Sequence, residues 1–251
     1  MDVLGIDIGG SGVKGSVVDV KRGEMITDRY RIPTPQPATP AAVAETVRKV
    51  ARHFKWDGPI GCTLPARIQK GVAKTAANID ETWIDTPVRA LFQEATKCPV
   101  AVLNDADAAG VASMEFGAGR GRKDLVIMLT VGTGIGSAMF YRGRLIPGSE
   151  LGHLILHGES AERYASDTAR KRDRLSWVDW AGRFQEYLEH VEFLFAPDMI
   201  IIGGGVSRPS KVKQYWHLLS TQAELVPAEL ENEAGIIGAA VVARKKARKR
   251  K

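Results

Sequence analysis

Two apolar runs joined by a cluster of glycines open the chain and limit what it can fold into. Val3, Leu4, Ile6 and Ile8 form the first run and Val13, Val17, Val18 and Val20 the second, with Gly9-Gly10-Ser11-Gly12 between them. β-rich runs separated by a few glycines predict a hairpin. Such a turn presents backbone N–H groups with no side chain in the way, so an anion can approach closely. Asp7, at the end of the first strand, would set a carboxylate beside that anion, where a magnesium ion or its bound water could sit. An ordinary hairpin without a ligand is the alternative reading of this stretch taken alone.

The same residues contain a decoy. Gly10-Ser11-Gly12-Val13-Lys14-Gly15 satisfies G-x-G-x-x-G, but a dinucleotide fingerprint requires a helix after the glycines. Here Ser16-Val17-Val18-Asp19-Val20 is β-branched and continues as a strand. The phosphate loop of nucleotide hydrolases fails as well, because Gly15 follows Lys14 where Ser or Thr is needed.

The plan recurs. Val126–Phe140 reads apolar strand, Gly132-Thr133-Gly134, apolar strand, and Asp198–Ser207 carries a third strand running into Gly203-Gly204-Gly205 and then a helix. Two glycine hairpins in separate halves, with a strand–GGG–helix corner, predict a duplicated α/β fold that binds a phosphate-rich ligand.

Composition adds boundaries. With 251 residues, 44% hydrophobic and 25% charged, the chain suits one large domain or two modest ones. No apolar run approaches the ~20 residues that span a bilayer. Asp2 and Asp7 stand where a signal peptide would be basic and apolar, so a cytoplasmic protein is expected, with no membrane partner. Cys62 and Cys98 lack C-x-x-C spacing and predict reduced thiols rather than a zinc site. The formal charge of +6 is misleading, since seven basic residues crowd into the last nine and leave the body nearly neutral. That tail reads as a frayed helix end, a solubilising extension or a polyanion anchor.

Along the chain, Glu24–Arg31 predicts a third strand closing a meander, and the prolines from Pro33 to Pro40 a connector. Thr39 is placed to cap a helix from Pro40 with Val43, Val47 and Val50 on one face. Pro59–Leu64 predicts a buried strand, and Pro65–Asp80, which includes Asn78, a substrate-facing loop-and-strand region. Trp83 and Pro87 lead into a helix through Leu91 and Phe92. The apolar strand Pro99–Leu103 stops on Asn104-Asp105 and passes into an alanine-rich helix. A carboxylate at a strand-to-helix junction is a common place for active-site chemistry in α/β folds, and Asp105 can equally be a helix N-cap. Glu150 and His153, three apart in Ser149-Glu150-Leu151-Gly152-His153, would share a face on one helical turn. There they suit recognition of a sugar hydroxyl, which donates to one and accepts from the other; a surface pair is the alternative. Arg163, Arg170, Lys171, Arg172 and Arg174 form a run too dense to pair with the few acids nearby, either a solvated face or a groove wall for a multiply charged ligand. Trp177, Trp180, Phe184, Leu188, Val191 and Leu194 recur at helical spacing as core. Ser207–Leu219 predicts a helix, and Gly235 opens a final one through Val241.

Taken together, these stretches resemble the ROK-type sugar kinases of the actin/hexokinase-like superfamily, most closely their polyphosphate-using branch. DIGGSGVKG is similar to the family's first phosphate motif, LTVGTGIGSA to its second, and IIIGGGVS to its donor-end motif. LNDADAAG resembles the segment carrying the catalytic Asp, ELGH the sugar-binding E-x-G-H, and NIDETW, from Asn78, the sugar-side loop of the polyphosphate-using branch. Many ROK proteins carry a cysteine-rich zinc motif soon after E-x-G-H; ILHGESAERYAS has no cysteine, so no zinc is expected. Glu159 and Glu162 are both candidates for a sugar-contacting Glu that belongs to that motif.

The resemblance implies a two-lobed α/β, ribonuclease H-like fold with a central ligand cleft, one lobe from residues 1–106 plus 236–251 and the other from 107–235. It implies transfer of the terminal phosphate of inorganic polyphosphate to the 6-hydroxyl of glucose. Asp105 would accept the hydroxyl proton, and Asn78, Asn104, Glu150 and His153 would hold the sugar. Asp7, Gly9, Gly10, Ser11, Gly12, Lys14, Gly132, Thr133, Gly134, Gly204 and Gly205 would bind the donor, with magnesium near Asp7, through water. A homodimer is implied by the resemblance alone. An ATP-dependent hexose or N-acyl-hexosamine kinase is the enzyme alternative. A sugar-sensing regulator is the non-enzyme one, although ROK repressors place a DNA-binding helix-turn-helix before the first strand, where this chain has no room, and no specific nucleic acid is expected.

Overall fold

The opening hairpin forms as the glycines require. In a computed structural model that describes residues 2–76 and 79–248, β1 (Asp2–Gly9) and β2 (Gly12–Asp19) pair antiparallel from Asp2↔Asp19 to Gly9↔Gly12. The chain divides into two compact units, Met1–Ala112 with Glu233–Lys251, and Ser113–Asn232.

In the first unit, β3 (Glu24–Met25) and β4 (Tyr30–Ile32) both pair with β2. The single third strand expected over Glu24–Arg31 is therefore broken. The cause is Thr27, whose hydroxyl accepts the Val17 N–H (3.0 Å) in place of a ladder carbonyl, while Ser16 Oγ donates to the Thr27 carbonyl. Helix α1 (Pro40–His53) starts where Thr39 accepts the Ala42 N–H, and it buries Val43, Val47 and Val50. Next come β5 (Ile60–Leu64), the short pair β6 (Ile68–Gln69) and β7 (Val72–Ala73), α2 (Val88–Thr96), β8 (Val100–Asn104) and α3 (Asp105–Phe116). β1, β5 and β8 run parallel, giving the order β3-β2-β1-β5-β8. Parallel neighbours put their carboxyl ends at one edge, so Asp7, Thr63 and Asn104 share it.

The helix Ala234–Arg248 packs on this sheet at backbone distance. A β-carbon on Gly5 would overlap the Ile236 carbonyl, and one on Gly61 the Ala239 carbonyl. Glycine at these two strand positions lets Ile236, Ile237, Ala239 and Ala240 bury completely.

The second unit repeats the plan. β9 (Val126–Val131) and β10 (Ile135–Tyr141) form the glycine hairpin, and β11 (Arg144–Ile146) extends it. After the small pair β12 (Ile155–Leu156) and β13 (Glu159–Ser160) come α4 (Ala161–Ala165), α5 (Asp167–Arg172) and α6 (Trp177–Phe195). Then β14 (Met199–Gly203) lies parallel to β9, and β15 (Glu224–Pro227) parallel to β14. The order β11-β10-β9-β14-β15 matches that of the first sheet, hairpin first and parallel strands after. This is the α/β architecture, duplicated, that the recurring glycine turns predict.

Two expected helices differ in detail. In α6 the buried stripe runs Trp180, Phe184, Tyr187, Leu188 and Val191, while Leu194 is half exposed because the stripe leaves the core in the last turn. The helix expected over Ser207–Leu219 is in three pieces: a 3-10 turn Gly204–Ser207, α7 (Pro209–Tyr215), and a second 3-10 turn Trp216–Leu218. Pro209 accounts for the first break, since it cannot donate to a preceding turn and starts a new helix at its first position. Among the described residues, no helix is long and apolar enough to cross a membrane, and Cys62 and Cys98 are buried free thiols.

Candidate active site

In the first unit the glycine turn is exposed at Gly10 and Ser11 and braced from below. Arg31 Nη2 donates to the Ser11 carbonyl at 2.7 Å. The Thr34 hydroxyl donates to the Gly9 carbonyl. Those bonds occupy carbonyls and leave the turn's N–H edge for an anion. Asp7 stands two residues before Gly9. Its Oδ1 accepts from the Thr63 hydroxyl (2.8 Å), which itself accepts the Ile8 N–H (3.1 Å), and its Oδ2 lies 3.5 Å from Lys14 Nζ. Thr63 is fully buried, so Asp7 is locked in direction by a hydroxyl on the neighbouring strand. A β-carbon on Gly235 would lie 3.1 Å from Asp7 Oδ1, so the first turn of the C-terminal helix also closes on this carboxylate.

Asn104 and Asp105 stand at the same sheet edge. Asn104 Oδ1 accepts the N–H groups of Ala106 (2.8 Å) and Asp107 (3.2 Å), and its Nδ2 donates to the Ala66 carbonyl (3.3 Å). Asn104 is thus the side chain that caps α3, although the Asp105 carboxylate also accepts from Ala106 N (2.9 Å). With the cap supplied by Asn104, the exposed Asp105 is not needed for capping alone. Asn78 lies outside the described residues.

The second unit gathers the other predicted residues around its own turn. Gly203 pairs with Thr130, which brings Gly204 and Gly205 beside Gly132-Thr133-Gly134. A β-carbon on Gly132 would lie 3.9 Å from the Gly205 amide nitrogen, and Gly204 takes φ +79°, a left-handed conformation that glycine adopts without strain. Glu150 and His153 flank one 3-10 turn, Leu151–His153, in which the His153 N–H donates to the Glu150 carbonyl (3.0 Å). That turn is fixed to β10: Ser137 Oγ accepts from Leu151 N (2.9 Å) and donates to the Ser149 carbonyl (3.0 Å). Glu150 precedes the turn with non-helical backbone angles (φ −130°, ψ 56°), and His153 is its last residue.

Sequence reasoning left Glu159 and Glu162 undivided. Glu162 Oε1 is 3.9 Å from His153 Nδ1, and a β-carbon on Gly134 would strike the Glu162 carboxylate, whereas Glu159 faces Arg163 at 3.9 Å. Glu162 joins His153 and the second glycine turn; Glu159 does not. Thr63 and Glu162 are the two site residues that the sequence did not single out. A lone Thr in an apolar strand gives no pattern, and only the E-x-G-H spacing hints at an acid nearby.

The basic run is also corrected. It is not too dense to pair: Arg170 and Lys171 meet Asp167 at 3.0 and 2.9 Å, and Arg172 meets Asp173 at 2.7 Å. Arg183 joins Asp173 at 2.6 Å, and Lys211 joins Asp167 at 3.1 Å. Asp167 meets Arg170 and Lys171 because a helix turns i and i+3/i+4 toward each other, and Arg183 and Lys211 reach the acids from other segments. Burial of Asp167 opposes its ionisation, but hydrogen bonds from Lys171, Arg170 and Lys211 outweigh that and bring its pKa down to about 2. A carboxyl that binds its proton less tightly when folded stabilises the fold above the unfolded value of 3.8, and that contribution is lost as pH falls through 3.8 toward 2. Stability followed by thermal melting should therefore fall more steeply below pH 4 in the native chain than in Asp167→Asn; parallel curves would remove Asp167 from the acid response.

Among the described residues no group of three or more His, Cys, Asp or Glu is arranged to hold a metal. A single hard carboxylate beside an anion-binding turn is nevertheless the donor set on which magnesium relies, since that ion keeps most of its waters and takes the rest of its ligands from phosphate. Asp7 fits such a role.

The model of the ROK family matches residues 3–174. Polyphosphate glucokinase of Mycobacterium tuberculosis is 45% identical over 239 residues, which are 95% of this chain and 89% of that protein. The crystal structure of an inorganic polyphosphate/ATP-glucomannokinase from Arthrobacter sp. strain KM superposes with a TM-score of 0.92 at 46% identity, covering 98% of this chain and 99% of that one. A ROK glucokinase from Streptomyces griseus, solved with glucose and AMPPNP, shares the fold with a TM-score of 0.81 at 24% identity, covering 98% of this chain and all of that one.

Proposed function

The chain belongs to the ROK family, and from that premise we propose that it is a polyphosphate–glucose phosphotransferase, moving the terminal phosphate of inorganic polyphosphate to the 6-hydroxyl of glucose. The observation that carries this reading is the likeness, along almost the whole chain, to proteins named for polyphosphate as donor and for glucose or glucose and mannose as acceptor.

Phosphoryl transfer asks a protein for positioning and charge stabilisation rather than covalent chemistry. Asp105, exposed at the β8–α3 junction, accepts the proton of the 6-hydroxyl as that oxygen attacks the terminal phosphate. A carboxylate is a weak base toward an alcohol, so it orients the nucleophile first and takes the proton late. The α3 cap occupies both lone pairs of Asn104 Oδ1, and Asn104 keeps the second N–H of its amide, with which it donates to a sugar hydroxyl. Glu150 and His153 hold further hydroxyls from their turn, with Glu162 set against His153; Asn78 has the same task. The N–H groups of the two glycine turns and of Gly204-Gly205 take donor phosphate oxygens, and Lys14 adds its charge beside the first. Kinases of this type generally use a divalent metal. Magnesium held near Asp7 through water would shield the donor's charge, and Thr63 fixes the direction in which Asp7 points.

The test is glucose 6-phosphate formation with magnesium, comparing long-chain polyphosphate with ATP. Turnover with polyphosphate well above that with ATP is expected. Activity with ATP alone would overturn the donor assignment and leave a sugar kinase of the ordinary type. No activity with either donor would overturn the enzyme reading.

A further inference from the structure

Asp167, in the second unit, gathers three cations. Its side chain is only 5% exposed, and it bonds Arg170 at 3.0 Å, Lys171 at 2.9 Å and Lys211 at 3.1 Å. One carboxylate against three cations leaves a surplus of two positive charges. The surplus is not spread over the surface. The Thr168 N–H, one residue beyond Asp167, donates to the Gly132 carbonyl (3.2 Å), and Lys211 Nζ lies 3.9 Å from where a β-carbon of Gly205 would stand. The cluster is thereby tied to both the second glycine turn and the GGG corner. Arg172 and Arg163 belong elsewhere: Arg172 is held by Asp173 and by the Arg163 carbonyl, and Arg163 faces Glu159. Of the basic run, only Arg170 and Lys171 share the carboxylate that holds Lys211.

The surroundings favour phosphate over a nucleoside here. Arg170 lies over the Trp177 ring with its guanidinium carbon 4.1 Å from the centroid, Lys211 Nζ is 5.7 Å from the same ring, and Trp177 stacks on Tyr215. Two cations therefore lie over the Trp177 ring. A nucleotide would bring an uncharged ribose and base to this place. A polyphosphate chain brings another anionic phosphate at every step.

The geometry points to Lys171 and Lys211, organised by Asp167 under the second glycine turn, as the subsite for the inner phosphates of a polyphosphate donor, the stretch behind the group that is transferred. This rests on the polyphosphate reading above and adds to it the residues that read donor length. Asp167 is a positioning residue: it fixes the two ammonium groups, and Arg170 with them, without touching the donor. Lys171, 63% exposed, presents its ammonium at the surface to a passing chain, while Lys211, 24% exposed, stays at the turn.

Steady-state kinetics with tripolyphosphate and with long-chain polyphosphate, on the native chain, Lys171→Ala and Lys211→Ala, test this. Each substitution should raise KM for the long chain about tenfold, the worth of one charge-assisted contact, with kcat and the KM for glucose nearly unchanged. The KM for tripolyphosphate should move much less, so the preference for length narrows. Arg172→Ala, which removes a cation held by Asp173, should leave that preference intact. An unchanged KM for the long chain in both lysine variants would overturn the subsite. So would equal rises for short and long donors, which would move the lysines to the transferred phosphate. Thermal melting of each variant separates lost binding from lost folding, and the exposed Lys171 supplies a variant with little effect on packing. A native chain inactive with polyphosphate but active with ATP would instead overturn the donor reading itself.

Discussion

Asp105→Ala should fold normally and lose about two to four orders of magnitude in kcat, the range that a positioned proton acceptor contributes. Folding is preserved because Asn104 already accepts the Ala106 and Asp107 N–H groups that open α3. The KM for glucose should change far less than kcat, since the carboxylate matters most when the hydroxyl oxygen attacks. Circular dichroism and melting on the same preparation separate chemistry from folding. A kcat within a few-fold of native would return Asp105 to a helix-capping role.

Glu150→Ala should act on the other parameter. Removing an ionised acceptor from a sugar hydroxyl costs about 10–100-fold in binding, read as a rise in the KM for glucose. The fold around it should hold, because the Leu151–His153 turn is anchored by Ser137 through backbone groups that the substitution leaves in place. The KM for the phosphate donor should stay near native. If both KM for glucose and kcat are unchanged, Glu150 and His153 are a surface pair. His153→Ala in the Glu150→Ala background would show whether the two act on one ligand, through a departure from additivity.

Much of the fold was written in local chemistry. Glycine turns between β-branched runs made both hairpins legible, and Thr39-Pro40 marked the start of α1 without reference to anything distant. The strand ending on Asn104-Asp105 was legible because an apolar run gives way there to alanines. What stayed hidden depends on contacts between segments far apart in the chain. Thr27 breaks the third strand by bonding Val17, ten residues away, which no propensity records. Asp7 and Thr63 are 56 residues apart, and only the parallel pairing of β1 with β5 joins them. Asp167 and Lys211 are 44 apart, so Lys211 could not be read as part of this cluster, whereas Arg170, Lys171 and Arg172 pair with acids one to four residues away that the sequence reading set aside. Glu162 was separated from Glu159 only by which of them faces His153.

The meeting of Gly5 and Gly61 with the carbonyls of Ile236 and Ala239 has a consequence for synthesis. The sheet of the first unit is laid down by residue 104, yet the helix that packs on it begins only at Ala234. Until then the face of β1 and β5 that carries Gly5 and Gly61 lacks this helix, whereas the second unit is continuous from Ser113 to Asn232. All of the second unit is therefore synthesised before the first unit receives this helix, so the two do not become complete in N-terminal-first order. More than a hundred residues of translation separate the two glycines from the helix that they admit.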